Sequence, residues 1–204
     1  MIDYLYYVKN MIKDANIERK EFLMSKIESH ISQWLHYKNC KGRSPLHPEK
    51  FVSGNVHNFY FPTNESIQLV WDIDKIYRKS IAIQPKEFEL PELQEIIKKD
   101  IISSLDEFTK IENEVHNIQK HHYAAVIIFY FSPLRIHLMI DGRHRFIEHR
   151  KFKQQEKILA FVLDSDKYLD CIVYKRDYAA YIILHNIEVM SRYLEGMNCL
   201  KELW

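Results

Sequence analysis

The sequence predicts an α+β fold, in which a small mixed sheet packs with helices. Apolar and β-branched segments typical of strands lie at 56–62, 123–131 and 157–164. Segments with apolar residues at helical spacing lie between and beyond them. Because strands and helices are mixed without a regular βαβ alternation, the pattern indicates the α+β class.

The amino-terminal residues 1–38 carry apolar side chains at helical spacing, with a break at 14–16. The next segment, KNCKGRSPLHPEKFVSGN (38–55), holds two prolines and two glycines, which are typical of a loop or linker. We therefore predict a helical amino-terminal extension and linker over 1–55, a core over 56–165 and a carboxyl-terminal helical extension over 166–204.

The first half of the predicted core contains short strands followed by a long helical pattern. VHNFYFP (56–62) and SIQLVWDIDKI (66–76) are rich in aromatic and β-branched residues, which predicts strands. After KEFEL (86–90), apolar residues keep helical spacing from Leu93 to Ile118. A capping box that begins at Ser104 divides this pattern into two consecutive helices.

The second half of the core predicts a hairpin, a helix and a further strand. YAAVIIFYF (123–131) is too short an apolar run to cross a bilayer and predicts a buried strand, with RIHLMID (135–141) as its hairpin partner. GRHRFIEHRKFKQQ (142–155) predicts a helix, and KILAFVLD (157–164) predicts the last strand. A helix marked by residues from Tyr178 to Tyr193 follows.

Composition limits the classes of partner. The formal net charge of +1 provides no general basic field, so a nucleic-acid partner is not expected. The three cysteines, Cys40, Cys171 and Cys199, form no CxxC pair, and their odd number suits a reduced compartment. The sequence shows no recognisable secretory leader or membrane span, which predicts a cytoplasmic protein that does not enter a membrane.

Several common site motifs do not occur in the sequence. It contains no GxxxxGK[ST], GxGxxG, GxSxG or HExxH pattern, which disfavours the common nucleotide folds, serine hydrolases and zinc peptidases. The histidine spacings, such as five residues between His144 and His149, do not place ligands on one helical face. We therefore predict no dedicated protein metal site.

The segment MIDGRHRFIEHRKF (139–152) places a glycine and basic side chains where a strand passes into a helix. Gly142 can adopt a positive φ or let a ligand approach the backbone. Arg143 and Arg145 offer planar donors that match phosphate, and His144 adds another donor. Asp141, at the end of the strand, is a candidate ligand for a metal, a ribose or a substrate hydroxyl. Together with the amide groups of the first helical turn, these residues predict a phosphate site.

The same segment has a second interpretation. A basic amphipathic helix with Phe146, Ile147 and Phe152 facing inward would carry much of this pattern, and its arginines would pair with carboxylates at the surface. The residues alone leave the phosphate site and the solvated helix face as alternatives.

LMIDGRHRFIEHRKF followed by KILAFVLD resembles the strand–DGxHR–helix–strand signature of the ParB/sulfiredoxin superfamily. The similarity covers about 123–165, with a looser match from about 68 in which WDIDKI (71–76) resembles an early strand of the family. The resemblance implies that Gly142, Arg143, His144 and Arg145 hold nucleotide phosphates and that Asp141 contacts substrate or metal.

Departures from the pattern place the chain nearer the free serine kinases and ParB-like proteins. Arg143 stands where sulfiredoxins have their reactive cysteine, and the helix-turn-helix module of partition proteins is not recognisable. In the kinase-like branch an upstream acidic residue acts as the base, for which Glu87 and Glu89 are candidates. Their alternative interpretation is a charged loop at the start of a helix.

Three functions follow as hypotheses. The first is a phosphotransferase that uses ATP, ADP or CTP with Mg²⁺ and acts on a small hydroxyl substrate. The second is a non-catalytic regulatory or scaffold protein, switched by a nucleotide and forming a homodimer through its helical extensions. The third is a ParB-like nuclease, placed last because the sequence shows neither a clustered acidic metal site nor overall basicity.

Overall fold

The computed structural model describes residues 13, 18–25, 41–47, 55–60, 66–101, 125–152 and 157–204. Its strands are β1 (Asn55–Tyr60), β2 (Ser66–Trp71), β3 (Lys86–Glu89), β4 (Val126–Phe131), β5 (Ile136–Asp141) and β6 (Lys157–Asp164). Its α-helices, numbered in chain order, are α1 (Ile73–Ser80), α2 (Leu90–Ile101), α3 (Arg143–Phe152) and α4 (Lys175–Leu194). A further helical segment, residues 18–25, carries no number here. The predicted capping box at Ser104 and most of the predicted amino-terminal helices lie outside the described residues.

The α+β class is confirmed, because these elements form a small mixed sheet covered by helices. Within the described part of the chain, the sheet has the strand order β3-β6-β4-β5. Strand β4 is antiparallel to β5 and parallel to β6, while β3 is antiparallel to β6. The predicted hairpin, the helix after it and the strand at 157–164 are therefore confirmed. Strands β1 and β2 form a separate antiparallel pair.

The central strand β4 is apolar throughout its buried length because helices cover both faces of the sheet. Val126 and Ile128 belong to one hydrophobic cluster, and Ile127 and Phe129 belong to the other. This alternation follows from the two-residue period of a strand. A strand buried on both faces appears in the sequence as a continuous apolar run, as 126–131 does.

The two clusters lie on opposite faces of the sheet. The first packs α2 and α3 on one face through residues that include Leu93, Ile97, Phe146 and Ile147. The second packs α1, β2 and α4 on the other face, with the Trp71 ring edge-on to Phe129 at 4.9 Å between centroids. Helix α4 therefore shares one core with β4 and β5.

Residues 73–76 are helical, which corrects the prediction that SIQLVWDIDKI (66–76) is extended throughout. Strand β2 ends at Trp71, and Asp72 caps α1 by accepting the N–H of Lys75 at 2.9 Å. Ile73, Ile76, Tyr77 and Ser80 are the buried side chains of α1. Their three- and four-residue spacing is a helical signal within a segment rich in β-branched residues.

The helical residues 18–25 pack against the end of α4. Leu23 is completely buried in the cluster that contains α4. Arg19 donates to the carbonyl oxygen of Tyr193 at 2.5 Å and lies over the Tyr193 ring. In the described ranges, no helix is both long and apolar enough to cross a membrane.

Candidate functional site

The junction between β5 and α3 has the strand–glycine–helix geometry that the sequence predicts. Strand β5 ends at Asp141, Gly142 has φ +102°, and α3 begins at Arg143. The N–H of Phe146 donates to the carbonyl oxygen of Gly142 at 2.9 Å, which closes the first turn of the helix. A positive φ is readily adopted by glycine and rarely by other residues.

Gly142 is also required by packing. A Cβ atom at this position would lie 2.3 Å from Cγ1 of Val126, the first residue of β4. That distance is far below van der Waals contact, so the side chain of Val126 occupies the space that any larger residue would need. The glycine is therefore needed for the positive φ of the turn and for the close approach of Val126 on β4, whether or not a ligand binds there.

Arg145 turns into the protein instead of toward solvent. Its side chain is only 8% exposed, and Nη1 donates to the carbonyl oxygen of Ala125 at 2.6 Å. Nη2 lies 2.5 Å from Oδ2 of Asp141 and 3.0 Å from the hydroxyl of Tyr77. We call Asp141, Arg145, Tyr77 and the Ala125 carbonyl group the Arg145 cluster. These contacts of Arg145 hold elements of the fold together, which is a different role from the phosphate contact that the resemblance implies.

Tyr77 is the member of the Arg145 cluster that sequence reasoning missed. Its hydroxyl lies 2.9 Å from Oδ2 of Asp141 and also contacts the carbonyl oxygen of Ala125. Burial, and then the negative charge of Asp141, raise the pKa of Tyr77, so the hydroxyl stays protonated and acts as a donor. In the sequence Tyr77 is one apolar-face residue of a short helix, 64 positions from Asp141, and no local signal links the two.

Arg143 and His144 form the outer part of the first turn of α3. His144 is exposed and Arg143 is partly exposed. The first turn contains no acidic residue, so no carboxylate within it offsets the positive end of the helix dipole. The combination of helix start, guanidinium and imidazole is suited to an anion, and in particular to phosphate oxygens.

Glu87 and Glu89 lie on the opposite edge of the sheet from Asp141. They are exposed on β3, and Nζ of Lys157 lies 3.3 Å from Glu87 and 3.7 Å from Glu89. Strands β6 and β4 lie between β3 and β5, and three strand spacings amount to about 14 Å. The structure therefore does not bring either glutamate to Asp141. The two residues therefore do not lie in the charged loop of the alternative interpretation. They belong to an edge strand of the described sheet, and charged side chains on an edge strand discourage pairing with other chains.

The last turn of α3 is basic and ranges from half-buried to exposed. His149, Arg150 and Lys151 occupy the last turn, where positive side chains complement the negative end of the helix dipole. Phe146 and Ile147 are buried, as the amphipathic interpretation predicts. Phe152 is 37% exposed, which corrects its predicted inward position, because it follows the part of α3 that the sheet covers.

Metal binding and thiol chemistry depend on the His, Cys, Asp and Glu side chains. The described segments contain no group of three or more His, Cys, Asp or Glu side chains that could hold a metal ion. Cys171 is completely buried, and burial raises the pKa of its thiol to about 12. A thiol in this environment is protonated at neutral pH and is a poor nucleophile.

Comparison with known proteins did not identify a relative. No protein-family model matches the chain, and neither the curated proteins nor the solved structures include a similar one. The resemblance to the ParB/sulfiredoxin superfamily stays a prediction based on the DGRHR segment.

Proposed function

We propose that the protein binds the phosphate groups of a nucleotide at the first turn of α3. The observation that carries the proposal is the strand–Gly142–helix junction, with Arg143 and His144 on its outer side and no acidic residue in the turn. A helix start presents backbone N–H groups and a partial positive charge to an anion. The side chains of Arg143 and His144 add donors that match phosphate oxygens.

Within this proposal the basic residues have two separate tasks. Arg143 and His144 contact the ligand, while Arg145 and Asp141 hold the turn in shape from inside the protein. Mg²⁺ would accompany the phosphates and would need only one or two carboxylates from the protein. ATP, ADP and CTP all carry phosphate groups that fit this site, so experiment must decide which nucleobase is preferred.

The positions of the acidic residues favour binding without turnover. Transfer of a phosphoryl group to a small hydroxyl substrate requires a base within hydrogen-bond reach of that hydroxyl. Glu87 and Glu89 lie across the sheet, and Asp141 is already engaged by Arg145 and Tyr77. We therefore propose a nucleotide-switched regulatory or scaffold protein first, and a phosphotransferase second.

Calorimetric titration with ATP, ADP and CTP in the presence of Mg²⁺ tests the binding site. We expect Arg143→Ala to weaken binding about tenfold, because it removes a charge-assisted hydrogen bond. Lys151→Ala is the matched control: it removes a cation from the last turn of the same helix and should leave the affinity unchanged. If none of the three nucleotides binds to the wild-type protein, the proposal is wrong.

Two further measurements separate the switch from the phosphotransferase. Phosphorus NMR of a protein–nucleotide mixture with small alcohols reports turnover, and light scattering reports the mass with and without nucleotide. The switch predicts an unchanged nucleotide and a ligand-dependent homodimer. Product formation at constant mass would favour the phosphotransferase.

A further inference from the structure

Tyr77 connects the two sides of the sheet at the end where the proposed site lies. Its helix, α1, packs in the cluster that contains α4, whereas α3 packs in the cluster on the opposite face. The Tyr77 hydroxyl nevertheless contacts Arg145 of α3 and Asp141 at the end of β5. The contact therefore passes around the end of the sheet, beside Ala125.

We infer that Tyr77 is a positioning residue of the proposed phosphate site, because its hydroxyl ties Asp141 and Arg145 together and so holds the Gly142 turn. The inference rests on the proposed function and extends it to a residue outside the DGRHR segment. Tyr77 itself would not touch the ligand.

The geometry of the Arg145 cluster supports this role. Asp141 precedes the Gly142 turn and Arg145 follows it, so the 2.5 Å ion pair between them spans the turn. Tyr77 closes a ring with both partners, at 2.9 Å from Oδ2 of Asp141 and 3.0 Å from Nη2 of Arg145. In a ring of three mutually bonded groups, no member can rotate without breaking contacts with the other two.

Helix α1 is a firm support for the Tyr77 hydroxyl. Asp72 caps its first turn, and in its last turn Nζ of Lys79 lies 2.5 Å from Oδ1 of Asp170. The phenol ring of Tyr77 is buried and meets Phe161 edge-on. The helix is thus held at both ends while Tyr77 projects from its middle.

The chain contains a matched control for the loss of one buried hydroxyl. Tyr168 is also buried, and its hydroxyl also bonds to a residue of α1, Ser80, at 3.1 Å. Within the described residues, the Tyr168 hydroxyl does not contact the Arg145 cluster. Tyr77→Phe and Tyr168→Phe each remove one oxygen atom and leave the aromatic ring. A purely structural role for Tyr77 predicts that the two variants behave alike.

The test combines ADP titration with hydrogen exchange of the protein without ligand. We expect Tyr77→Phe to weaken ADP binding about fivefold, the equivalent of one hydrogen bond, while Tyr168→Phe leaves it unchanged. We also expect amide exchange over residues 143–147 to accelerate several-fold in Tyr77→Phe alone, because the turn opens more readily. Both variants should show a lower melting temperature.

The outcomes separate the inference from the proposed function. If the wild-type protein binds no ADP but exchange over 143–147 still accelerates in Tyr77→Phe, nucleotide binding fails and the positioning of the turn stands. If exchange is unchanged in Tyr77→Phe, or equally accelerated in Tyr168→Phe, the inference is overturned. Should Tyr77→Phe not fold, Asp141→Asn weakens the same ring from its other side and must accelerate the same amides.

Discussion

Arg145 and Asp141 form a salt bridge across the Gly142 turn, with 2.5 Å between Nη2 and Oδ2. The arginine side chain is 8% exposed and the aspartate side chain 23% exposed. A pair this far inside the protein is held by further hydrogen bonds, here from Tyr77 and to the carbonyl oxygen of Ala125. Two residues that resemble part of a ligand motif therefore stabilise the fold at the junction.

Replacement of Arg145 should destabilise the protein strongly. Arg145→Ala removes one partner of a buried pair and takes one donor away from both the Asp141 carboxylate and the Ala125 carbonyl group. We expect the free energy of unfolding to fall by about 3 kcal/mol. Urea denaturation measures this, with exposed Lys151→Ala as a control that should change it by less than about 0.5 kcal/mol. Equal effects of the two substitutions would contradict the structural role of Arg145.

Gly142 and Gly196 provide a matched pair for separating backbone strain from crowding. Both have a positive φ, +102° and +106°, but an added Cβ would meet Val126 at 2.3 Å in the first case and nothing within 4 Å in the second. We expect Gly196→Ala to cost about 1 kcal/mol from the backbone alone, and Gly142→Ala about 2 kcal/mol more.

The double variant Gly142→Ala/Val126→Ala tests the cause of that difference. Val126→Ala removes Cγ1, which would lie 2.3 Å from the added Cβ, but keeps Cβ of residue 126 at 2.6 Å. The double variant therefore relieves part of the crowding and should be somewhat more stable than the sum of its single changes implies. Strictly additive unfolding energies would show that the Val126 methyl groups do not contribute to the crowding.

Asp177 should make the protein less stable as the pH rises from acid toward neutrality. It is completely buried at the start of α4 and accepts the N–H of Val70 at 2.9 Å. Burial raises its pKa above the ordinary 3.8, and the Val70 N–H and Arg176 offset this only in part. A carboxyl whose pKa is higher in the folded state than in the unfolded state binds its proton more tightly when folded. Its contribution to stability therefore declines as the pH rises through the unfolded pKa.

Asp177→Asn checks this sign, because the amide keeps an oxygen atom that can accept from Val70 but does not ionise. The unfolding free energy of the variant, relative to that of the wild type, should increase from acid to neutral pH. A relative decrease over the same range would mean that the carboxylate form of Asp177 stabilises the fold.

Cys171 should resist alkylation in the folded protein. Burial, followed by the negative charge of Asp170, raises the pKa of its thiol to about 12, which leaves almost no thiolate at pH 8. Mass spectrometry after iodoacetamide treatment at about pH 8 should show Cys171 unmodified, and treatment in urea provides the positive control. Rapid modification of the native protein at this cysteine would contradict its burial.

Much of the fold could be predicted because its signals are local. The apolar run at 126–131, the turn at Ser132 and Pro133 and the helix after Gly142 are each specified by neighbouring residues. The error at 72–76 has a local cause as well: β-branched residues favoured a strand, whereas the buried spacing of Ile73, Ile76 and Tyr77 is helical.

The candidate site could be predicted only in outline. The DGRHR segment correctly places a strand end, a glycine turn and a helix start next to one another. It does not reveal that Arg145 lies inside while His144 is exposed, since helix rotation depends on what the sheet covers. Glu87 and Glu89 are close to the segment in a linear diagram but are separated from it by two intervening strands.

The amino-acid sequence thus specifies the local elements of this protein: the α+β class, the hairpin, the positive-φ glycine and the helix that follows it. Which residues meet at that helix is set by long-range packing, including the contact between Tyr77 and Arg145 over 68 positions of the chain. Turns and periodicities can be predicted because they arise from neighbouring residues. The partners of a buried charge, in contrast, are set by the packing of distant segments against the same end of a sheet.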